Sequence, residues 1–376
     1  MNWLPHAHAL ADRVTHPGSR WRDAIAETPR HLLVPAWWQW SSGQWELQYG
    51  PSHEQSWIEA AYRDRTLVTR VGGLHADYAT AEAAPTGRPT SSSTLPSLIV
   101  QMFRHARVGE KDTVLDVGTG TGYGTALLCH YLGDERVTSI DVDPYLTQSA
   151  AYRLDGLGHR PNIVTGDGTK PLPGGFDRIV ATVSVRPIPS SWLEALNLGG
   201  RLATTITNTS LIITATKTPD GGAAGQVERD WAMFMTTRTG ADYPPGLADL
   251  VSIARTAEGD SVAVARFPVL ELVESWEVRS MLEVNAPGIE HDFREAGETR
   301  IAVMVHEDGS WARAEQTGHG LPIVHQAGPR RLWDLLDEVR DHWLREGSLP
   351  LYGAAVRIDP DGTIHLRRGR WSATIG

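Results

Sequence analysis

A glycine-rich turn that joins a short apolar strand to a helix constrains this chain more than any other feature. Residues 114–124 read VLDVGTGTGYG, with glycine at every second position from Gly118 to Gly124. Glycine lacks a Cβ and tolerates positive φ, so such a turn lets the backbone pass close to a bound molecule. In an open parallel sheet, ligands usually bind at the carboxyl ends of the strands. The segment therefore predicts a site for a nucleotide-type ligand.

Strands and helices alternate around this turn. Short apolar runs predict strands at residues 113–117, 137–141, 162–165, 177–181 and 201–205. Helices are predicted to begin near Pro96, to run through 126–128, and to cover 145–157 and 191–196. Such alternation is typical of a parallel sheet covered on both faces. The predicted fold class is α/β, with a doubly wound parallel sheet of Rossmann-like type.

Composition and patterning divide the chain into three predicted parts. Residues 1–90 form an N-terminal helical segment that holds seven of the 14 tryptophans, and packing in a core is favoured over an exposed binding face. Residues 91–210 form the ligand-binding core. Residues 211–376 form a β-rich C-terminal domain for substrate recognition, whose acid-rich stretch 271–298 is expected on a solvated face. Strands are predicted there at 210–217, 229–237, 261–269, 301–306, 354–358 and 363–367, and a helix at 330–346.

Two phosphate-binding interpretations of the turn are excluded. The dinucleotide fingerprint Gly-x-Gly-x-x-Gly, counted from Gly118, places Tyr123 where a third glycine must let the helix pack closely. No Gly-Lys-Ser or Gly-Lys-Thr is present, which excludes a P-loop. Asp116, two positions before Gly118, would repel a pyrophosphate and attract a cation. The ligand is therefore predicted to be cationic and free of phosphate.

Acidic residues at three successive strand ends indicate S-adenosylmethionine, which carries a sulfonium and an ammonium group. Asp116 would face the cation, Asp141 is placed to accept both ribose hydroxyls, and Asp167 would lie near the adenine. The alternative is that these acids cap helices. The predicted cofactor residues are Asp116, Gly118, Thr119, Gly120, Thr121, Gly122, Tyr123, Asp141, Val142, Gly166, Asp167 and Gly168.

Charge and cysteine content exclude several other classes. Lysine and arginine number 35 against 45 acidic residues, a net charge of −10, which gives no general attraction for nucleic acid or anionic membranes. The single cysteine, Cys129, excludes a disulfide framework and a cysteine-based zinc site, and no metal site is predicted. The chain contains no apolar run of the ~18 residues that a membrane span needs, and residues 1–5 do not resemble a secretion signal. A cytoplasmic protein is expected.

Ordered motifs over residues 24–206 resemble the protein L-isoaspartyl O-methyltransferase family. Residues 28–35, TPRHLLVP, are similar to its early Pro-Arg-His-x-Phe-Val-Pro segment, and 61–65, AYRDR, to its Ala-Tyr-x-Asp element. Residues 93–96, STLP, match its Ser-Gln-Pro or Ser-Ala-Pro active-site segment, except that Thr94 replaces the usual serine. The glycine turn, 166–168 and 198–202 continue the match in order.

This resemblance implies a class I methyltransferase that uses S-adenosylmethionine and releases S-adenosylhomocysteine. A hydroxyl of Ser93 or Thr94 would contact the substrate carboxylate and fix its angle of attack, although both hydroxyls could instead cap the helix that begins near Pro96. The substrate peptide is predicted to contact a second set of residues, of which the arginines could equally be solvated. That set is Arg88, Ser92, Arg367 and Arg368.

About 170 C-terminal residues lie beyond the family core. Such an extension resembles methyltransferases that accompany ribosomally made, modified peptides, including lanthipeptides, lasso peptides and graspetides. The predicted reaction is methylation of an aspartate side chain in a macrocyclic precursor peptide, after which the ester closes to a succinimide (aspartimide) that can open to isoaspartate. The alternatives are repair of isoaspartyl damage and a catalytically silent adaptor that binds the cofactor. The sequence predicts no oligomeric state.

Overall fold

The computed structural model describes residues 2–239 and 242–376. Met1, with which the predicted N-terminal segment begins, lies outside the described residues. Within the described ranges, no helix is both long and apolar enough to cross a bilayer.

The N-terminal segment combines short helices with an antiparallel sheet. Its helices are α1 (Leu4–Val14), α2 (Arg22–Glu27), α3 (Arg30–Leu33) and α4 (Glu54–Ala61). Its strands are β1 (Ala36–Ser41), β2 (Gln44–Tyr49), β3 (Leu67–Val71), β4 (Leu74–His75) and β5 (Pro89–Ser93). The strands run in the order β2-β1-β3-β4, and β5 pairs with β3.

The sequence analysis missed these N-terminal strands. The period-two alternation that signals a strand is absent from β1, because Trp37 and Trp38 are adjacent and both buried. The expectation that tryptophans fill a core is confirmed for Trp21, Trp37, Trp38 and Trp57, which are at most 7% exposed. Trp40, at 58% exposure, is an exception.

The predicted parallel sheet is confirmed. After α5 (Pro96–His105), strands and helices alternate in the order β6 (Val114–Val117), α6 (Tyr123–Leu132), β7 (Val137–Asp141), α7 (Pro144–Gly156), β8 (Asn162–Thr165), β9 (Phe176–Val185), α8 (Ser190–Ala195) and β10 (Leu196–Ile206). The strands lie side by side as β8-β7-β6-β9-β10, and every neighbouring pair is parallel. The first strand, β6, thus lies between β7 and β9, with its carboxyl end at the glycine turn.

Two antiparallel strands, β11 (Leu211–Lys217) and β12 (Ala223–Trp231), extend this sheet beyond β10. The predicted strand at 229–237 therefore starts earlier and ends at Trp231. The following residues continue as a loop with one bridge, between Thr236 and Ser184 at the end of β9. This loop brings the residues after β12 back over the carboxyl ends of the parallel strands.

The chain then forms a separate antiparallel sheet with three helices. The elements are α9 (Ala248–Ala254), β13 (Ser261–Val264), α10 (Trp276–Asn285), β14 (Glu290–Ala296), β15 (Thr299–Val305), β16 (Trp311–Thr317), β17 (Ile323–Ala327) and α11 (Leu332–Arg345). The strand order is β13-β17-β16-β15-β14. The expectation of a solvated face at 271–298 is wrong for α10, because its Val278, Met281 and Leu282 are buried.

The last strands return to the central sheet. Strands β18 (Ala355–Ile358), β19 (Ile364–Arg368) and β20 (Trp371–Ile375) add beside β12, which completes a ten-stranded sheet in the order β20-β19-β18-β12-β11-β10-β9-β6-β7-β8. The predicted boundary at residue 210 therefore falls inside this sheet. A single apolar core joins Leu202 and Ile213 of the central sheet to Leu282 of α10 and Met304 of β15. The division of the chain into folding units stays a prediction.

Candidate active site

The glycine turn has the backbone geometry that its sequence requires. Gly118 and Gly120 have φ of +98° and +52°, a region that residues with a Cβ rarely occupy. The Gly118 N–H donates to the Ile140 carbonyl at 2.9 Å, which ties the turn to β7. A Cβ on Gly120 would lie 3.2 Å from the Ser92 carbonyl oxygen. The turn can therefore lie directly against the end of β5.

A cavity of about 230 Å³ lies at the carboxyl ends of β6, β7 and β9. The structure brings eight of the sequence-predicted residues together in its wall. They are Ser92, Thr94, Gly118, Gly120, Asp141, Val142, Asp167 and Gly168.

A smaller cavity of about 30 Å³ shares part of this wall and adds further predicted residues, namely Ser93, Asp116, Thr119, Thr121 and Tyr123. Gly122 and Gly166 line neither cavity. A Cβ on Gly122 would lie 3.2 Å from Ala150 Cβ, so this glycine lets α6 approach α7. Gly166 donates its N–H to the Asp141 carbonyl at 2.9 Å and holds β8 to β7. The structure gives both glycines packing or backbone roles.

Asp141 is positioned by the turn that it faces. Its Oδ2 accepts from the Gly120 N–H at 3.0 Å, and its Oδ1 accepts from the Asp143 N–H at 3.1 Å. Burial raises the pKa of this carboxyl group, and the two N–H donors oppose that shift. Each carboxylate oxygen has a further lone pair, so Asp141 can still accept hydrogen bonds from a ligand in the cavity.

Asp116 is less open to a ligand than the sequence analysis expected. It is 2% exposed, and its Oδ2 accepts from the hydroxyls of Thr125 at 2.8 Å and Ser139 at 2.9 Å. Burial raises its pKa from 3.8 to about 6, although these two hydrogen bonds lower it. The carboxyl group therefore joins β6 to β7 and α6 beneath the turn, and it reaches only the smaller cavity.

Arg30 holds the end of β5 and the residue after it, Ser93 and Thr94, by hydrogen bonds. The side chain is fully buried, and its guanidinium lies 5.2 Å from the ring centroid of Tyr123. It donates to the carbonyls of Ala61, Arg63, Arg65, Ser93 and Thr94, at 2.9 to 3.2 Å. The sequence analysis used Arg30 only as part of a family motif. Its role depends on contacts that span up to 64 residues, which no local pattern reveals.

The two candidate catalytic hydroxyls occupy different places. The Ser93 side chain is 2% exposed, and its Oγ accepts from Arg30 Nη2 at 3.3 Å. Thr94 is half-buried and lines the main cavity together with Ser92. Neither Ser93 nor Thr94 makes a side-chain cap on α5, whose N-terminus starts with Pro96. The geometry therefore favours Thr94 for contact with a substrate.

Asp143 joins three parts of the chain beside this cavity. Its carboxylate accepts from Arg70 of β3 and, at 3.4 Å, from Arg238 of the loop after β12. Its Oδ1 also accepts from the Tyr145 N–H at 3.0 Å and caps α7. The three charged side chains are 9 to 13% exposed. This cluster fixes the N-terminal sheet and the loop against the end of β7.

The arginines predicted to bind substrate lie outside the wall of either cavity. Arg88 donates to Glu290 of β14 at 3.0 Å. Arg367 and Arg368 lie on β19, five strand spacings or roughly 24 Å from β9. Arg368 donates to the carbonyls of Pro350 and Gly353. A role for these arginines in binding a long peptide stays a prediction.

The sequence analysis missed the residues that cover the main cavity. They lie in the loop after β12, at Tyr243, directly before β3 and in β5. They are Met233, Phe234, Met235, Thr236, Thr237, Arg238, Tyr243, Thr66, Thr90 and Ser91. Ser184 donates to the Met235 carbonyl at 2.8 Å, and the Tyr243 hydroxyl donates to the Thr236 carbonyl at 2.9 Å. In the sequence, the hydroxyl pair at 236–237 beside Arg238 was the signal that could have indicated this part of the cavity wall. The position of this pair over the cavity, however, depends on contacts with β9.

Cys129 is 3% exposed on α6. Burial raises its pKa well above the usual range of a thiol. Ligand atoms of Cys129, Asp134 and His159 lie within 4.8 Å of one another, away from the cavity. Asp134 accepts from the Arg160 N–H at 2.6 Å and lies 3.0 Å from His159 Nδ1, so its oxygens hold the loop before β8.

Comparison with known proteins now identifies this region. The family model of protein-L-isoaspartate(D-aspartate) O-methyltransferase matches residues 74–238, from β4 through the loop that covers the cavity. Over these residues the chain is similar to the protein-L-isoaspartate O-methyltransferase family. The family resemblance and the class I methyltransferase fold are thereby confirmed. The predicted use of S-adenosylmethionine as the methyl donor agrees with this family.

Curated relatives in this family cover part of the chain. A protein-L-isoaspartate O-methyltransferase of Ignicoccus hospitalis is 31% identical over 133 residues, which are 34% of this chain and 63% of that protein. The chain thus spans less than two thirds of this relative. Those of Roseiflexus castenholzii and Gloeobacter violaceus are 29% and 28% identical, and the matches cover 54% and 53% of this chain and 78% and 80% of theirs.

A solved protein-L-isoaspartate O-methyltransferase resembles almost the whole chain. The similarity covers 99% of this chain and 98% of that one, with a TM-score of 0.51 and 17% identity. At this identity the likeness concerns the fold alone.

Proposed function

We propose that this protein is an S-adenosylmethionine-dependent O-methyltransferase that methylates a carboxylate of an aspartyl or isoaspartyl residue in a peptide. The family match to residues 74–238 supports the reaction class. The observation that carries the proposal is the composition of the main cavity. Its described wall combines Asp141 and Asp167 with the hydroxyls of Ser92 and Thr94, and it contains no histidine, lysine or cysteine.

The residues present fit the proposed cofactor. Asp141 presents carboxylate oxygens to the cavity for the two ribose hydroxyls, and Asp116 places a buried acid next to the smaller cavity for the ammonium group. Val142, Asp167 and Gly168 would contact the adenine. A Cβ on Gly168 would lie 3.1 Å from Val117 Cγ1, so the wall at this position is made of backbone. S-adenosylmethionine would supply an electrophilic methyl group on its sulfonium sulfur.

A carboxylate nucleophile suits a site of this composition. A carboxyl group with an ordinary pKa near ~4 is already ionised at neutral pH, so no general base is needed. An amine or thiol nucleophile would have to lose a proton to a base in the wall. The task that remains for the protein is to hold one carboxylate oxygen in line with the methyl group and to exclude water.

The chain's own residues can perform that positioning. A hydrogen bond from Arg30 to the Thr94 carbonyl at 3.1 Å holds the backbone at this residue. The Thr94 hydroxyl can then donate to one oxygen of the substrate carboxylate. The other oxygen is then free to attack. Leu95, Leu98, Val183 and Met235 form an apolar lining that excludes water.

We further propose that the substrate is an aspartate in a modified, ribosomally made precursor peptide. After methylation, the backbone nitrogen of the next residue attacks the ester carbonyl, its proton leaves with methoxide as methanol, and a succinimide forms. Support comes from the C-terminal part, in which Glu290 accepts from the Leu247 N–H at 3.0 Å and from Arg88, two residues before Thr90 of the cavity wall. Repair of isoaspartyl damage is the competing function, and the family match to residues 74–238 is equally consistent with it.

Methyl transfer from labelled S-adenosylmethionine separates these functions. The substrates are an unstructured isoaspartyl peptide, its aspartyl counterpart, and a cyclised peptide that contains an aspartate. Label on the cyclised peptide with loss of methanol supports peptide modification, and label on the isoaspartyl peptide alone supports repair. Label on none of them, with intact cofactor binding, would contradict the proposed methyltransferase and leave the adaptor.

Removal of the Thr94 hydroxyl should slow turnover without weakening cofactor binding. A hydrogen bond to a charged group contributes about 1.5–3 kcal/mol, so Thr94→Ala should lower kcat by roughly 10- to 100-fold. Thr94→Ser should retain most of the activity because it keeps the hydroxyl. Ser93→Ala is the matched control, since its Oγ is already bonded to Arg30. A larger loss in Ser93→Ala than in Thr94→Ala would assign the catalytic hydroxyl to Ser93.

Cofactor affinity should fall as the solution is acidified. Burial raises the pKa of Asp116 to about 6, so below that pH the buried group takes up a proton and loses the charge that attracts the ammonium group. For one group with this pKa, the Kd of S-adenosylhomocysteine should rise up to about tenfold between pH 8 and pH 5. Calorimetry across this range measures the effect. Asp116→Asn should weaken binding at pH 8 and flatten the profile, and an equal slope in that variant would exclude Asp116.

A further inference from the structure

An apolar strip leads from the main cavity to the protein surface. At the end of β12, exposure alternates: Trp231 is 59% exposed, Ala232 is 3% exposed and Met233 is 48% exposed. Phe234 packs inward against the core that contains Ala232. Trp231 and Met233 therefore project on the same, outer side of the chain. Met233 also lines the cavity, so the strip is continuous with the candidate active site.

The strip continues to a cation on α10. Arg279 Nη1 lies 3.5 Å from Met233 Sδ. Burial lowers the pKa of Arg279, and the neighbouring Glu283 raises it. On the cavity side, Leu95 and Leu98 are half-buried and extend the apolar lining. A large exposed indole beside a cavity opening is typical of residues that carry binding energy in an interface.

We propose that Trp231 and Met233 bind the substrate peptide, and that they take a bulky apolar side chain next to the residue that is methylated. This inference rests on the proposed function and adds a sequence preference to it. A peptide whose carboxylate reaches Thr94 must leave the cavity past its rim, and Met233 forms part of that rim. An apolar neighbour there would cover the indole and thioether, whereas a small polar neighbour would leave them in water.

The chemistry of the strip indicates which peptides fit. Tryptophan and methionine offer a large surface that accepts both aliphatic and aromatic side chains. Arg279, adjoining Met233, would favour a further carboxylate on the same peptide over a cation. The expected substrates therefore carry leucine, phenylalanine or a similar residue beside the acidic target, and a basic residue at that position should bind poorly.

Peptide binding in the presence of saturating S-adenosylhomocysteine tests the inference. Two fluorescent isoaspartyl peptides differ only in the residue next to the target, which is phenylalanine in one and serine in the other. The wild-type protein should bind the phenylalanine peptide about tenfold more tightly. Trp231→Ala should bind both peptides with similar Kd, and its affinity for the cofactor product should not change.

The matched control is Trp40→Ala. Trp40 is 58% exposed, close to the 59% of Trp231, but it belongs to the β1–β2 hairpin and lines no part of the cavity. It should retain the tenfold preference. Equal binding of the two peptides by the wild-type protein, or an equal loss in both variants, would overturn the inference and leave the proposed function intact. Binding of S-adenosylhomocysteine with no binding of either peptide would overturn the inference together with the repair function.

Discussion

Replacing Asp141 with alanine should remove most of the affinity for the cofactor. Two hydrogen bonds from ribose hydroxyls to one carboxylate contribute about 1.5–3 kcal/mol each, so the Kd of S-adenosylhomocysteine should rise by at least about 100-fold. The turn should also loosen, because the Gly120 N–H, now 3.0 Å from Oδ2, loses its acceptor. Isothermal titration calorimetry measures the change, and circular dichroism verifies that the fold persists.

Two further variants separate the causes of this loss. Asp141→Asn keeps the shape and one acceptor oxygen but removes the charge, so its Kd should lie between those of the wild-type protein and Asp141→Ala. Glu135→Ala removes a carboxylate that is 74% exposed and remote from the cavity wall, and it should bind like the wild-type protein. An unchanged Kd in Asp141→Ala would refute the assignment of the cavity to this cofactor.

Replacing Arg30 with methionine should destabilise the protein by about 3–5 kcal/mol. The change removes the guanidinium hydrogen bonds to the carbonyls of Ala61, Arg63, Arg65, Ser93 and Thr94, of which the Arg63 carbonyl keeps the Arg65 N–H as a donor at 2.9 Å. Removing a buried charge from its partners costs this much because the partners stay desolvated. Urea unfolding followed by tryptophan fluorescence measures the free energy of unfolding.

The conservative variant and a surface variant complete the test. Arg30→Lys retains the charge, but an ammonium group has three donor hydrogens for five carbonyls, so it should recover only part of the stability. Arg63→Gln changes an exposed side chain and should alter the free energy of unfolding by less than about 0.5 kcal/mol. Equal stability in Arg30→Met and Arg63→Gln would show that the segment after β5 is held by other contacts.

The parallel sheet could be predicted because its signals are local. Each strand from β6 to β10 contains a short run rich in apolar residues, and the glycine turn marks the carboxyl end of β6. The same locality explains why most of the cofactor wall was predicted: Asp141 is the last residue of β7, and Asp167 lies two residues after the end of β8. The sequence features that predict these residues, an apolar run with an acid at or near its end, therefore lie within a few neighbouring positions.

The rest of the site depends on contacts between distant parts of the chain. The loop after β12 covers the cavity because Thr236 bridges to Ser184, 52 residues earlier in the sequence. Arg30 reaches Thr94 across 64 residues. Strand β1 was hidden because Trp37 and Trp38 are buried on opposite faces of a small sheet, which erases the expected alternation.

The return of the last strands to β12 has a consequence for how the protein is made. Strand β12 ends at Trp231, and its neighbour β18 begins at Ala355, so 123 residues must emerge from the ribosome before the two can pair. Until then β12 presents an open edge to the translating chain and its surroundings. Such late, long-range pairing slows folding. A stalled ribosome or a truncated messenger RNA would therefore yield a nascent protein prone to aggregate through the open edge of β12.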